Sequence, residues 1–183
     1  MSTTTHTFDV VVAGCGIAGL AAAVSAAQGG AKVAVLDEGD IAFRAARGNF
    51  GLVWIQSKGS GMPPYAHWSR KSAELWPQLA QRLEATTGTK VALDQPGGMM
   101  FCLSDEEFET RSSIVQRMHN ESGDIGTRML DRTEVRAMVP GLGDRVVGAA
   151  FCPVDGHANP LFTLRALHAT DGVDYLPNRK VER

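Results

Sequence analysis

FDVVVAGCGIAGL, residues 8–20, decides the fold. The run Phe8 to Ala13 has the β-branched composition of a strand buried on both faces. Gly14-Cys15-Gly16-Ile17-Ala18-Gly19 then spells G-x-G-x-x-G. An Ala-rich helix follows, with Leu20 and Val24 four apart and Gly29-Gly30 closing it. Ala31 to Leu36 (AKVAVL) reads as a second strand, and Asp37 stands at its end. That acid lies 18 positions after the last motif glycine, which completes a βαβ unit of the dinucleotide-binding kind.

The motif positions have separate physical tasks. Gly14 permits the tight turn after the strand, and Gly16 lets the backbone approach a pyrophosphate. Gly19 lets helix and strand pack closely. The bare amides of the helix start, at Ile17 and Ala18, hold phosphate with the helix dipole behind them. Asp37, with Glu38 beside it, accepts hydrogen bonds from a ribose diol, and its charge disfavours a 2′-phosphate. The bland alternative is that these glycines only let a helix pack on a sheet.

Composition narrows the classes. The chain has 183 residues, 44% hydrophobic and 21% charged, enough for one sizeable core. A formal net charge of −2 gives no electrostatic case for nucleic acid or an anionic membrane. Cys15, Cys102 and Cys152 form no CxxC pair, which argues against a zinc site or disulfide framework and fits a reducing cytoplasm. The histidines have no ligand spacing, so no metal is expected. Val10 to Ala27 imitates a signal peptide or membrane span. Met1 to Asp9 lacks Lys and Arg, however, and three glycines interrupt the run, so no membrane span is expected.

After Asp37 the chain departs from a nicotinamide dehydrogenase, running through Phe43-Arg44-Ala45-Ala46 into RGNFGLVW, residues 47–54. Together with FDVVVAGCGIAGL, VAVLDEG, DGHANPLFTLRALHA (155–169) and YLPNRKV (175–181), this wording resembles the D-amino-acid oxidase superfamily of FAD-dependent oxidoreductases. Within it the wording looks most like the flavin subunits of opine oxidases and hydroxyproline dehydrogenases, and the resemblance covers nearly the whole chain. It implies an α/β fold: a Rossmann-like FAD-binding βαβ unit with part of an α+β substrate domain. The implied division is 1–60 for the FAD-binding βαβ and flavin-side loop, 61–153 for a partial substrate domain, and 154–183 for the return to the FAD-binding domain.

The resemblance also implies a cofactor site. Amides around Arg47, Gly48 and Asn49 approach the pyrophosphate and ribityl chain, while Gly51, Leu52 and Val53 run beside the isoalloxazine. A side chain at Gly51 would then collide with the ring. Val181 falls on the last strand of the nucleotide unit and holds adenine through its backbone. Arg44 and Arg47 fit either phosphate contacts or plain surface residues. Relatives carry hydroxyl residues where this chain has Ala45 and Ala46, so backbone amides must supply phosphate contacts there.

The implied reaction is hydride transfer to flavin from a carbon bearing an amine, giving an imine that water hydrolyses. The substrate is an amine, D-amino acid or opine, and no catalytic side chain is assigned. Rival readings are an NAD-dependent dehydrogenase and a non-catalytic nucleotide-binding subunit. The superfamily's remaining half is not in these residues, so the chain is either a fragment or completed by another subunit. By either account residues 1–183 alone are expected not to turn over, with Val53 and Trp54 exposed.

Phe50 and Trp54 read as core, and His168 as an ordinary residue. Elsewhere, Ser72 to Thr87 reads as a helix with Leu75, Leu79 and Leu83 on its buried face. Gly98 to Leu103 and Gly148 to Pro153 look like strands, and Asp105 to Asn120 like a charged helix. Asp131 with Glu134 resembles a capping box. Asn159 and Pro160 suit the cap and first position of a further helix.

Overall fold

Alternating runs of valine and alanine build the first sheet. The structure, a computed structural model, describes residues 6–39 and 45–182. In chain order the elements begin with β1 Val10–Ala13, α1 Ile17–Gln28, β2 Val33–Asp37, β3 Leu52–Val53, α2 Pro63–Thr87, β4 Leu93–Asp94 and β5 Gly98–Cys102. They continue with α3 Asp105–Ser122, β6 Arg128–Asp131, α4 Arg132–Met138, β7 Gly148–Cys152, β8 Gly156–Ala158, α5 Pro160–His168 and β9 Val173–Pro177. Internal contacts divide the chain into two units. One holds Met1–Gly51, Gln78–Ala92 and Ala158–Arg183; the other holds Leu52–Pro77 and Leu93–His157.

The first unit carries a parallel sheet of order β1-β2-β9. Val10 pairs with Val33 on one side of β2, and Val33 with Val173 on the other. Central β2 is the buried strand, with Val33, Ala34 and Val35 closed to solvent. Helix α1 packs on β1, on β2 and on α5. Leu20, Ala23 and Val24 of α1 and Ala166 and Leu167 of α5 are buried. The expectation that β1 is buried on both faces is not met: Val10 is 36% and Val11 56% exposed. Among the described residues β1 pairs only with β2, so it is an edge, and a β-branched run does not distinguish edge from centre.

The second unit is built on an antiparallel sheet of order β5-β7-β6. Leu130, Val135 and Ala149 form its core, with Met99, Leu142 and Phe151 packed against them. Small residues on β7 let side chains come close: the Phe108 ring fills the place where Gly148 would carry a Cβ. Helix α3 starts at Ser104, whose hydroxyl accepts from the Glu107 amide at 3.2 Å. Helix α4 starts at the expected capping box, the Asp131 carboxylate accepting from the Glu134 amide at 2.9 Å. The Glu134 carboxylate accepts in return from the Asp131 amide, also at 2.9 Å.

Helix α2 differs from its expectation. It begins nine residues earlier, at Pro63 rather than Ser72, and its buried positions are Ala66, Ala73, Ala80 and Leu83. Leu75 is 44% exposed. Alanines seven apart lie on one helical face, and their small size favours close backbone approach over leucine burial. A Cβ on Gly59 would overlap the backbone of Ala66. Pro77 sits inside the helix, so it cannot donate to the Ala73 carbonyl four residues back. Gln95 Nε2 donates to that oxygen instead, at 3.4 Å.

One buried carboxylate ties the second unit together. Asp155 is 0% exposed. Its Oδ1 accepts from the Ile55 amide at 2.6 Å, and its Oδ2 from Gln56 Nε2 at 2.9 Å. Gln56 Nε2 also donates to the Gly98 carbonyl at 3.1 Å, so the residues after β3 are pinned to β5. Burial pushes the Asp155 carboxyl above the usual carboxylate range, although donors from Ile55, Gln56 and Cys152 oppose the rise. A carboxyl raised on folding contributes stability in full below the unfolded value of about 3.9. That contribution is lost as pH rises through the higher folded value. The stability of the protein relative to Asp155→Asn should therefore fall as pH climbs from about 4 toward neutral. Urea unfolding of both proteins across that range measures it, and a difference that grows with pH would show that the site favours the ionised form.

Candidate functional site

The turn from β1 into α1 is shaped by its glycines. Gly14 has φ +101° and donates its N–H to the Leu36 carbonyl at 2.8 Å, which only a residue without a Cβ adopts at low cost. A Cβ on Gly19 would overlap the Gly14 carbonyl oxygen and touch Val12 Cγ1 at 3.4 Å, so helix and strand can cross only with glycine there. Gly16 is the N-cap of α1, and open space lies where its Cβ would be. No side chain caps this helix and no acid stands in its first turn. The amides of Ile17 and Ala18 therefore meet no side chain, and the positive end of the dipole is bare.

Asp37 is buried, 3% exposed, and its two oxygens are used differently from the sequence expectation. Oδ2 accepts from the Cys15 amide at 2.9 Å, and Oδ1 from the Gly39 amide at 2.9 Å. Its backbone carbonyl accepts from the Arg179 amide at 2.7 Å. The carboxylate thus clamps the glycine loop to the end of β2. Glu38, next in sequence, is exposed.

A cleft of about 690 Å³ opens beside the loop, within the roughly 300–1,000 Å³ of small-molecule sites. Gly16, Arg47, Arg165, His168, Tyr175 and Asn178 line it, along with Cys15. Cys15 Sγ donates to Tyr175 Oη at 3.7 Å, and the His168 ring meets Tyr175 edge-on at 4.9 Å. Nothing in the local sequence marks Arg165, His168 or Tyr175 as site residues, and His168 by itself reads as ordinary. They come from α5 and β9, and no local spacing connects them to the glycine motif. Asn159 and Pro160 do start α5 as expected, the Asn159 side chain accepting from Leu161 at 3.0 Å and from Phe162 at 3.1 Å.

The remaining expected positions divide. Arg47 joins the glycine loop at the cleft, while Gly48 and Asn49 form an exposed turn. Asn49 Oδ1 accepts from the Gly51 amide at 2.6 Å, as asparagine does in turns. Gly51 has φ +77°, and a Cβ there would overlap the Ala158 carbonyl oxygen. The Gly51 carbonyl accepts from the Ala158 amide at 2.9 Å. Packing on Ala158 therefore accounts for this glycine without a flavin ring. Leu52 opens β3 in the second unit and is 52% exposed. Arg44 lies outside the described residues.

Four expectations are corrected. Val181 lies beyond β9, which ends at Pro177, and is exposed. The turn-forming Asn178, with φ +58°, ends the strand before it reaches Val181. Phe50, read as core, is 78% exposed, because the Asn49–Gly51 turn carries it outward. Val53, expected exposed, is buried within the second unit, where it pairs with Gly156. Trp54, read both as core and as exposed in residues 1–183 alone, is half-buried, its ring standing where Gly98 would carry a Cβ.

Comparison with known proteins bears on this geometry. Residues 9–183 match the model of the DAO family, described as FAD dependent oxidoreductase. The chain belongs to that FAD-dependent oxidoreductase family. It is 39% identical over 179 residues to an opine oxidase subunit from Agrobacterium tumefaciens (strain Ach5), covering 95% of this chain and 48% of that protein. The corresponding subunit from Rhizobium meliloti is 38% identical, with the same coverage of 95% and 48%. The crystal structure of glycine oxidase from Geobacillus kaustophilus superposes with a TM-score of 0.84 at 26% identity, covering 95% of this chain and 47% of that one. This family member spans about half the length of the curated relatives it matches. FAD is the family's cofactor. The bare α1 start, the open side of Gly16 and the adjoining cleft fit a diphosphate dinucleotide. Among the described residues no helix is long and apolar enough to cross a membrane, and no group of three or more His, Cys, Asp or Glu could hold a metal.

Two substitutions test these assignments. In Asp37→Asn, either amide orientation sets an NH2 against the Cys15 or the Gly39 N–H, so one hydrogen bond becomes a donor–donor contact. Stability should fall by about 1–3 kcal/mol, read from urea unfolding. Gly51→Val should lower the thermal midpoint by forcing the chain off Ala158. Flavin loss from a Gly51→Val protein of unchanged stability would instead restore the ring-collision reading.

Proposed function

We propose that this chain supplies the FAD-binding part of an enzyme that oxidises the C–N bond of a small amine, D-amino acid or opine. The observation that carries the reading is the uncapped α1 start and Gly16 opening on a cleft that also holds Arg47. The residues assigned to the cofactor are Gly14, Gly16, Ile17, Ala18, Gly19, Asp37 and Glu38 on the adenosine and diphosphate side. Arg44, Arg47, Gly48, Asn49, Gly51 and Leu52 are assigned to the flavin side. Residues 1–60 and 154–183 form the cofactor side in this reading, and 61–153 part of the substrate side. Identity of 39% with an opine oxidase subunit supports an opine-like secondary amine as substrate. That this relative is one subunit of its enzyme supports a hetero-oligomer. Free Cys102 and Cys152, both buried, fit a cytoplasmic location.

The chemistry FAD supplies when bound is hydride acceptance from the carbon bearing the amine. The part of the chain is to bind and position. The α1 amides stabilise diphosphate charge, and Asp37 holds the loop in shape and receives a ribose hydroxyl. Holding reactants in a productive geometry contributes up to about 7–11 kcal/mol of barrier lowering, so a rigid loop matters to rate.

Cofactor identity tests the reading. Protein purified with its native partners should carry a flavin absorption band, and chromatography of the released cofactor should give FAD. FMN lacks the adenosine ribose that Asp37 would receive. Stoichiometric FMN or NAD would overturn the proposal.

A further inference from the structure

We propose that Arg165 of α5 is a diphosphate-binding residue of this site, an inference that rests on the cleft taking a dinucleotide. Arg165 stands in the cleft wall with Gly16 and Arg47, and among the described residues no carboxylate side chain lines that wall. Its guanidinium is held 5.8 Å over the Phe162 ring, one turn earlier on the same helix. That cation–π contact orients the group without using its N–H donors.

Five arginines of the second unit are engaged differently, whereas Arg111 and Arg145 there carry no ion pair among the described residues. Arg70, Arg117, Arg128, Arg132 and Arg136 each have a Glu or Asp within salt-bridge reach. No described carboxylate or carbonyl takes the Arg165 donors. A planar fork of five N–H groups matches two oxygens of a diphosphate, which an ammonium cannot do. Its place in the last turn of α5 sets the cation at the negative end of that helix, which favours its charge. The bare α1 amides and Arg47 contribute positive potential to the same cleft. Arg165 thus completes an anion site that the glycine motif alone leaves as backbone.

The plainer account is that Arg165 only covers Phe162 with its stem. Binding of FAD, ADP and adenosine to the full chain separates the two, because adenosine carries the same base and sugar but no phosphate. Arg165→Gln should weaken FAD and ADP about tenfold to a hundredfold, the cost of charge-assisted hydrogen bonds, and leave adenosine unchanged. Its ADP affinity should also depend less steeply on salt. Arg165→Lys, which keeps charge and loses the fork, should fall between; it decides the question should Arg165→Gln fail to fold by circular dichroism. ADP affinity unchanged in either folded variant, or adenosine weakened in parallel with ADP, overturns the role of Arg165. Failure of the unaltered chain to bind either FAD or ADP overturns the dinucleotide reading itself.

Discussion

The first unit depends on the hold of the Asp37 carboxylate on two backbone amides. Cys15 and Gly39 belong to different turns, one leaving β1 and the other leaving β2, and a single buried side chain ties them together. Without it, two N–H groups would lose this acceptor, at a cost of up to about 1–3 kcal/mol each where they are buried. With it, the turn keeps the shape that bares the α1 start. Gly19 adds the steric half of the same constraint, since any larger residue would force the helix off the Gly14 carbonyl. The anion-binding capacity of the site is a by-product of how this turn is held.

The second unit uses the same device for a different end. Asp155 is closed to solvent and also accepts from a backbone amide, that of Ile55, with Gln56 as its second donor. Its role is to anchor the residues after β3 to the β7–β8 turn. Buried carboxylates are usually read as candidates for acid–base chemistry. Here the geometry gives both an architectural task, and in Asp155 the raised carboxyl follows from burial.

Much of the fold was legible in the chain because local rules agree with each other there. The G-x-G-x-x-G between two apolar runs, the Asp131–Glu134 box and the Asn159-Pro160 start each rest on contacts within a few residues. Contacts of that range survive whatever the rest of the chain does. Burial was less legible. A β-branched run looks the same on an edge strand as in a central one, so composition alone does not reveal that Val10 and Val11 of β1 are exposed. Leucine spacing drew the buried face of α2 through Leu75, whereas the seven-residue alanine repeat of Ala66, Ala73 and Ala80 carries it. Phe50 is apolar enough for a core, but the Asx-type turn at Asn49 turns it outward.

Sequence by itself determined the dinucleotide-binding character of the chain, because a tight turn, a bare helix start and an acid at the strand end each need particular residue types at particular spacings. The family follows from longer stretches of the same kind. Tertiary structure alone decided how those residues act. Asp37 became a clamp once Cys15 and Gly39 were brought to it, and Gly51 became a packing requirement once Ala158 lay beside it. The cleft wall could not be read ahead of folding, since Arg165, His168 and Tyr175 reach the glycine loop only after α5 and β9 return to the first sheet. Spacing along a chain encodes contacts made within a turn or two; contacts made across a parallel crossover depend on where the crossover lands.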